Sequence, residues 1–305
     1  MEDYPRTLLE FEERFANDQA CVEYLLKLRW PDGFICPRCG SHRSWLTKRT
    51  LYVCRDCGLQ TSALAGTVFQ DTKKPLRLWF RAMWHLTNQK YGANALGLQR
   101  ILGFGSYRTS WAWLHKLRQA MVRPGRDRLS GTIEVDETYV GGEKPGKRGR
   151  GAAGKALVVI AAQQDHRRIG RIRLGRVEDA SGESLGGFVE AAVEPGSTVH
   201  TDGWQGYSGL QGFGYCHQVV RQSADVGDNL LPLAHRVAAL LKRWLLGTYQ
   251  GAVHPSYLDY YLDEYTFRFN RRTSRSRGKL FYRLAQQAVV TDPLPVKDFS
   301  GGREG

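Results

Sequence analysis

Two aspartates stand at the ends of predicted strands, where they could hold divalent metal ions. Asp136 lies in "TIEVDETYVGG" and Asp202 in "STVHTDGWQGY", two apolar and β-branched stretches. A sheet holds such positions rigidly, and carboxylate oxygens are the ligands that Mg²⁺ prefers. Two ions about 3.5–4 Å apart can activate a water or a 3′-hydroxyl and stabilise the leaving oxygen of a phosphodiester. We therefore predict metal-dependent phosphoryl transfer at Asp136 and Asp202, with Glu137 pointing to the opposite face of its strand.

Four cysteines form a second cluster, which has the spacing of a zinc site. Cys36, Cys39, Cys54 and Cys57 make two C-x2-C pairs separated by fourteen residues, and a glycine follows each pair. Tetrahedral Zn²⁺ is satisfied by four thiolates, which leave no position for a substrate. In a reducing cytosol, clustered cysteines are metal ligands before they are disulfides. We predict a structural zinc ion in a zinc ribbon.

The composition favours a polyanionic partner. The 305 residues include 44 Lys and Arg against 30 Asp and Glu, a net charge of +14, which is typical of proteins that bind nucleic acid. Hydrophobic residues make up 42% of the chain, enough for a sizeable core, so a disordered protein is excluded. No apolar run approaches the roughly 20 residues that span a bilayer. The acidic, amphipathic start is unlike a signal peptide, so we expect a cytoplasmic protein.

The predicted elements divide the chain near residue 125. Helical patterns cover residues 6–28 and about 75–121, and the Pro- and Gly-rich "RPGRDRLSG" at 123–131 follows them. Beyond it, three strand patterns, a helix, two short strands and a further helix follow in the succession of an α/β domain. We predict an N-terminal helical segment (1–30), a zinc ribbon (31–66), a helix-turn-helix-like segment (67–125), a catalytic domain (126–295) and a tail (296–305).

The segment "NALGLQRILGFGSYRTSWAWLHKLRQAM" has the shape of a helix-turn-helix. A short helix over 94–102 is followed by a glycine-containing turn and a second helix over 108–121. In DNA-binding proteins of this shape the second helix enters the major groove. We predict that Arg108, Lys116 and Arg118 point outward from it and contact DNA.

The helix predicted over 232–251 has an apolar stripe from Val237 to Leu245. Its other face carries His235 and Lys242, with Ala238 and Ala239 between them. The histidine and the lysine are seven residues apart, which is close to two helical turns, or about 10 Å along the axis. They therefore share one face, and the alanines leave room beside it for a DNA strand.

Together these motifs resemble bacterial insertion-sequence transposases of the DDE type. The resemblance rests on the order "CPRCG", "CRDCG", a helical segment, "EVDETYVGG", "HTDGWQGY", "LKRWLLGTYQG" and "YLDEYTFRFNRR", and covers about residues 8–290. It is closest to the group with an N-terminal zinc ribbon, related to Merlin-type DNA transposons. This implies a ribonuclease H-like catalytic core, a mixed sheet flanked by helices. It also implies an enzyme that binds its element's terminal inverted repeats, nicks the DNA at the element's ends and joins the freed 3′-hydroxyls to a target.

Residue by residue, the resemblance assigns a catalytic triad. Asp136 matches the first catalytic aspartate and Asp202 the second, while Lys242 matches the lysine seven residues after the third position. That third position falls on His235, where many DDE enzymes have Glu. Neutral imidazole can ligate a divalent ion, and nitrogen suits Mn²⁺ better than Mg²⁺. The expected catalytic ions are therefore Mg²⁺ or Mn²⁺, with Lys242 contacting a phosphate near the scissile bond.

Three further residues compete with His235 for the third position. His235 could instead be a partly buried polar residue or a DNA contact. The third ligand would then be Asp228 or Asn229, just before the helix, or Glu264 in "YLDEYTFRF".

Basic residues in three further segments are expected to contact the DNA backbone. One segment is the loop "GGEKPGKRGRG", which could also be merely a solvated loop. The others are the helix at 232–251 and the run "RFNRRTSRSRGK". The predicted contacts are Lys144, Lys147, Arg148 and Arg150 in the loop, Lys242 and Arg243 on the helix, and Arg268, Arg271, Arg272 and Arg275 in the C-terminal run.

The sequence favours an active transposase over two other functions. A catalytically inactive, transposase-derived DNA-binding protein would explain the histidine, but would have no reason to keep Asp136, Asp202 and Lys242. A zinc-ribbon nuclease of RNA or RNA–DNA hybrids rests on the fold alone. The expected partners are double-stranded DNA and at least one further copy of the chain, because two element ends must be paired. The expected location is the bacterial cytoplasm, in association with the nucleoid.

Overall fold

The chain leaves its N-terminal unit and later returns to it. The computed structural model describes residues 2–123, 125–141, 155–221, 229–250 and 253–294. Met1–Pro124 and Ser274–Gly305 form one compact unit, and Gly125–Thr273 form the other. The break near residue 125 lies where the sequence places a boundary. The last helix, however, which we predicted as part of the domain 126–295, groups with the N-terminal unit.

The secondary structure of the described residues alternates between helical and sheet segments. In chain order the elements are α1 (Leu8–Arg14), α2 (Asp18–Arg29), β1 (Ser44–Leu46), β2 (Leu51–Cys54), β3 (Gln60–Ser62), α3 (Leu76–Asn88), α4 (Ala95–Leu102), α5 (Tyr107–Gln119), β4 (Thr132–Val140), β5 (Ala156–Asp165), β6 (Arg168–Val177), α6 (Gly182–Ala192), β7 (Thr198–Thr201), β8 (Cys216–Val219), α7 (Pro232–Tyr249), α8 (Leu258–Phe269) and α9 (Arg277–Ala288). None of the helices in this described part is long and apolar enough to cross a membrane.

An aromatic cluster holds α9 within the first unit. Phe281 of α9 is fully buried, and its ring centroid lies 5.4–6.2 Å from those of five aromatic rings on or beside α1, α2 and α3. Aromatic side chains of this size contribute much of a core's buried area. The C-terminal helix therefore completes the core of the N-terminal unit.

The predicted N-terminal helix is two helices, because Asn17 starts a new one. The side chain of Asn17 accepts the N–H of Ala20 at 2.9 Å, which satisfies one free donor of the first turn of α2. The helix-turn-helix pair α4–α5 lies where the sequence predicts it. Gly103 ends α4 in the left-handed conformation, at a φ of 65°. On α5, Trp113 faces inward and stacks on Trp79 with centroids 3.6 Å apart.

The second unit is built on a five-stranded mixed sheet of order β6-β5-β4-β7-β8. Strands β4, β5 and β6 are antiparallel neighbours, whereas β7 and β8 run parallel to the central β4. Ile133 and Val135 of β4 pack on the side of α6, while Val140 packs on the side of α7 and α8. Because side chains alternate along a strand, the even-numbered residues of β4 face α7.

Asp263 of α8 makes the second unit sensitive to pH. Burial raises the pKa of its carboxyl to about 7 from an ordinary value of 3.8, although Arg126 opposes the shift. A carboxyl with a raised folded-state pKa binds its proton more tightly when folded. The free energy of unfolding therefore falls as the pH rises from about 4 to about 7, and stays low above that.

We expect Asp263→Asn to stabilise the protein by on the order of 2 kcal/mol at pH 8, and by clearly less at pH 5, because each pKa unit corresponds to ~1.4 kcal/mol. Urea denaturation at the two pH values measures this. Asp165→Asn, at the end of β5, is the control, since the side chain of Asp165 is 66% exposed. An Asp263→Asn variant with the pH dependence of the parent would contradict the assignment.

Candidate active site and zinc centre

The four cysteines of the two C-x2-C pairs meet at one point. Their sulfur atoms all lie within 4.8 Å of one another. Among the described residues, these four form the group of Cys, His, Asp or Glu side chains that could hold a metal ion. Sγ of Cys36 is 3.5 Å from that of Cys57, and Sγ of Cys39 is 3.6 Å from that of Cys54. Tetrahedral zinc with Zn–S bonds of about 2.3 Å places its sulfurs about 3.8 Å apart. The cluster thus fits a structural zinc ion.

Two tight turns shape the cluster. Gly40 and Gly58 have φ angles of 71° and 69°, which favour glycine, and each donates its N–H to the carbonyl of the first cysteine of its pair. The backbone N–H of Cys57 lowers the pKa of Cys54 to about 7. A thiol with a lowered pKa is more readily the thiolate that zinc requires. Both glycines thus have the positive φ that the turns need, and the backbone of the second turn favours the thiolate form of Cys54.

Asp136 and Asp202 lie on neighbouring strands of the second unit. The parallel register pairs Glu134 of β4 with His200 of β7. Asp136 and Asp202 each follow two residues later, and Asp202 lies close enough for its negative charge to act on Asp136. Asp202 directly follows β7, as predicted, and accepts the N–H of Trp204 at 3.0 Å. Asp136, in contrast, is in the middle of β4 and not at its end. The strand continues because its antiparallel pairing with β5 runs on to Val140.

The environment of Asp136 is that of a closely packed acidic site. Its side chain is 14% exposed. Burial, together with the negative charges of Glu137 and Asp202, raises its pKa to about 6, and His235 opposes the shift. Glu137 lies on the opposite face of the strand, as expected, where it accepts the hydroxyl of Tyr207 at 2.9 Å. A cation would relieve the repulsion around Asp136.

His235 meets Asp136 through one ring nitrogen and Asn229 through the other. Nε2 is 3.3 Å from Oδ2 of Asp136, and Nδ1 is 2.6 Å from Oδ1 of Asn229. A carbonyl oxygen only accepts, so Nδ1 donates to it, and a neutral ring then presents the Nε2 lone pair to the side of Asp136. Histidines that ligate metals are commonly held in this way through their second nitrogen.

Lys242 lies close enough to the same carboxylate to be affected by its charge. Lys242 is exposed on α7; burial and the positive charge of Lys155 lower its pKa, while the negative charge of Asp136 raises it. Lys155, at the start of β5, was not anticipated from the sequence. An open groove beside His235 is lined in part by Arg167 and Arg236. These three basic residues had no signal of their own in the sequence, because only the fold brings them to the site.

Glu264 is used inside the fold. Its side chain is fully buried; Oε1 accepts from Arg268 at 2.8 Å, and Oε2 accepts the hydroxyl of Tyr249 at 3.2 Å. Asn229, a second candidate for the third position, orients His235 through the hydrogen bond to Nδ1. Asp228, the remaining candidate, lies outside the described residues.

Several residues predicted to contact DNA have other roles in the structure. Arg118 was expected to point outward, but it is 1% exposed and donates to the carbonyl of Ala93 at 3.3 Å, because it continues the buried face of α5. Arg268 holds Glu264, and Arg271 covers the ring of Phe267 at 4.0 Å.

The "RFNRR" run also closes the outer edge of the sheet. Arg272 donates to the carbonyl of Gly170 at 3.1 Å. Asn270 accepts the N–H of Ile172 at 2.7 Å and donates to its carbonyl at 3.1 Å. These amide and guanidinium groups satisfy the free backbone of edge strand β6. The predicted basic patch is therefore in large part a set of fold contacts, although Arg275 is exposed.

The remaining residues that we predicted to contact DNA are exposed or half-buried, or lie outside the described residues. Arg108 on α5 and Arg243 on α7 are exposed, and Lys116 is half-buried. The four basic residues of the loop, Lys144, Lys147, Arg148 and Arg150, lie outside the described residues.

A four-cysteine ribbon, a helix-turn-helix pair and a mixed α/β unit with strand-borne aspartates are the features expected of a transposase with an N-terminal zinc ribbon. The comparisons agree: residues 16–60 match the transposase zinc-ribbon domain, and residues 128–270 match the ISXO2-like transposase domain. The chain therefore contains both of these insertion-sequence transposase domains, and the resemblance is confirmed. One relative, described as an uncharacterized protein in transposable element ISH50 of Halobacterium salinarum, is 25% identical over 290 residues, which span 87% of this chain and 94% of the relative.

Proposed function

We propose that the chain is an active DNA transposase whose second unit is a ribonuclease H-like DDE nuclease. It binds the terminal inverted repeats of its insertion sequence, cleaves the strands at the element's ends and transfers them into target DNA. The strand order supports the fold, with three antiparallel strands extended by two strands parallel to the first. The contact between His235 and Asp136, with Asn229 behind the histidine, is the observation that carries the proposal.

The donor set fits divalent ions of the Mn²⁺ and Mg²⁺ type. Asp136 and Asp202 supply carboxylate oxygens, and His235 supplies one imidazole nitrogen. The 3.3 Å between Nε2 of His235 and Oδ2 of Asp136 is close to the roughly 3.0 Å expected between adjacent ligands of a six-coordinate ion. The bound ions would activate the attacking oxygen and stabilise the leaving oxygen of the phosphodiester.

The chain's own residues orient the reaction. The central strand β4 fixes Asp136, and the end of β7 fixes Asp202 beside it. Asn229 sets the tautomer of His235, so that Nε2 faces the carboxylates. Lys242 contacts a phosphate of the bound strand, since its side chain is exposed and lies close enough to Asp136 to be affected by its charge.

The first unit is proposed to hold the DNA. Exposed Arg108 at the start of α5 and half-buried Lys116 are its direct contacts, and the net charge of +14 strengthens binding to any duplex. The zinc ribbon is proposed to assist in recognising the terminal repeat. Because two element ends must be cut and joined together, we propose that the working form contains at least two copies of the chain.

A strand-cleavage assay tests the function. Purified protein is incubated with duplexes that carry the element's end sequences, or the same bases scrambled, in Mg²⁺, Mn²⁺ or EDTA. Nicks at the element boundary, only with a divalent ion and only in the native duplex, are expected. Tight binding of the native duplex without cleavage in either metal would instead establish the inactive, DNA-binding descendant.

A histidine series tests the third position. We expect His235→Ala to lower the cleavage rate about 10–100-fold in both metals, because one ligand is lost. We expect His235→Glu to shift the activity ratio toward Mg²⁺, which prefers oxygen. Cleavage rates measured across titrations of each metal give both effects. His166→Ala, a histidine whose side chain is 97% exposed in the β5–β6 turn, is the control. If His235→Ala and His235→Glu both behave as the parent does, His235 is not a ligand.

A further inference from the structure

Glu134 is a buried carboxylate on the α7 side of β4, two residues before Asp136. It is 7% exposed, so it lacks the hydration of a surface carboxylate. Instead its Oε2 accepts two backbone N–H groups at the start of α7, from Leu233 at 2.7 Å and from Ala234 at 3.0 Å. About one hundred residues separate donor and acceptor along the chain.

Helix α7 lacks a cap of its own. Its N-cap residue is Leu231, whose side chain cannot accept a hydrogen bond, and its first residue is Pro232, which has no N–H. The first free donors are the N–H groups of Leu233 and Ala234, and these are the two that Glu134 accepts. The negative charge also lies at the positive end of the helix, where it is favourable. A strand residue thus performs the task of an N-cap.

The next residue of the helix is His235. Its backbone N–H is bonded to the carbonyl of Leu231 at 2.9 Å, so His235 already belongs to the first turn. The first turn of α7 therefore meets β4 at two points. Its first N–H groups are bonded to Glu134, and His235 lies against Asp136 of the same strand. The distance between His235 and Asp136 therefore depends on how the first turn of α7 is held against β4.

We propose that Glu134 is a positioning residue of the active site: it fixes the first turn of α7 on β4 so that His235 and Asp136 can hold one divalent ion. The inference rests on the proposed function, because it assigns Glu134 a role only through those two ligands. In this role Glu134 acts through His235 and not as a ligand itself. Metal ligands must be held within fractions of an ångström, so a small displacement of α7 weakens the site.

Manganese binding to the whole protein, measured by isothermal titration calorimetry, tests this role. We expect Glu134→Ala to weaken Mn²⁺ binding about tenfold and to slow strand cleavage about 10–100-fold, with the affinity for terminal-repeat DNA unchanged. Glu134→Gln keeps an acceptor oxygen and is expected to remain within about threefold of the parent. The amides of Leu233 and Ala234 should lose hydrogen-exchange protection in Glu134→Ala and keep it in Glu134→Gln.

Ser181→Ala is the matched control. Ser181 caps α6 on the other side of the same sheet by accepting the N–H of Ser184 at 3.2 Å. Its loss should lower the melting temperature without changing Mn²⁺ binding, which separates a positioning role from general stability. If Glu134→Ala does not fold, Glu134→Asp replaces it; this shorter carboxylate withdraws its oxygen from α7 and should weaken Mn²⁺ binding about threefold or more.

Asp136→Ala provides the reference for the site itself. If Asp136→Ala loses Mn²⁺ binding and Glu134→Ala (or Glu134→Asp) keeps it, the metal site stands and the role of Glu134 is overturned. If Asp136→Ala binds Mn²⁺ as the parent does, the proposed metal site is wrong, and the role of Glu134 falls with it.

Discussion

Replacing Asp136 by alanine should lower the rate of strand cleavage at least about 1,000-fold in both Mg²⁺ and Mn²⁺. The side chain is 3.3 Å from His235 and is affected by the charge of Asp202, so its removal takes a ligand away from the proposed site. Metal ions contribute several kcal/mol of transition-state stabilisation, and about 4 kcal/mol corresponds to a thousandfold change in rate. Asp202→Ala should have an effect of the same order.

Binding and folding must be unchanged for this result to be informative. Gel-shift titration of the terminal-repeat duplex should give the parent's affinity, because neither aspartate lies on the helix-turn-helix or the ribbon. Asp179→Ala is the matched control: it also follows a strand of this sheet, but its carboxylate accepts the N–H of Ser181 in a local turn. Parent-like cleavage by Asp136→Ala would reject the catalytic assignment.

Removing zinc should unfold the ribbon and weaken binding to terminal-repeat DNA at least tenfold. The hydrophobic cluster around the four cysteines is small, comprising Phe34 with Trp30, Tyr52 and Leu59 at its side. So little buried area cannot hold such a segment alone, and metal binding in isolated zinc fingers supplies about 10–16 kcal/mol of apparent free energy. Chelation, or Cys54→Ser, should therefore abolish the dispersed NMR signals of residues 31–66, and returning Zn²⁺ should restore them only in the parent.

The exposed Cys216 offers a control for nonspecific thiol effects. It stands apart from the zinc cluster, on edge strand β8. Cys216→Ser should retain one zinc per chain by atomic absorption, together with the parent's DNA affinity. A Cys54→Ser protein with full zinc content would show that the cluster is not the metal site.

The convergence of the four cysteines and the faces of the strand residues could be predicted from the sequence, because each depends on a local pattern. The C-x2-C spacing fixes how four thiols can converge, and alternation along "TIEVDETYV" separates Asp136 from Glu137. The strand succession likewise predicts a mixed sheet. The position of Asp136 within its strand escaped prediction, because it depends on how far the pairing with β5 extends.

The roles of the basic residues were the hardest to predict from the sequence, because a run of arginines looks the same whether they contact DNA or the protein itself. Arg118, Arg268 and Arg272 have the composition of a DNA-binding surface, yet the structure uses them for a helix-core contact, an internal ion pair and the closure of a strand edge. The role of Glu134 was missed because it depends on backbone groups and not on other side chains. Its partners are backbone groups about one hundred residues away, which leave no trace in the side-chain pattern.

The return of α9 to the first unit imposes an order on biosynthesis. Phe281 and its neighbours leave the ribosome after every residue of the α/β unit, although they complete the core formed by α1, α2 and α3. Domains commonly fold as they emerge, N-terminal first. Here the unit whose synthesis starts earlier is completed later. A copy of the gene interrupted shortly after codon 273 would therefore still encode the whole five-stranded sheet, but would deliver an N-terminal unit without its core helix.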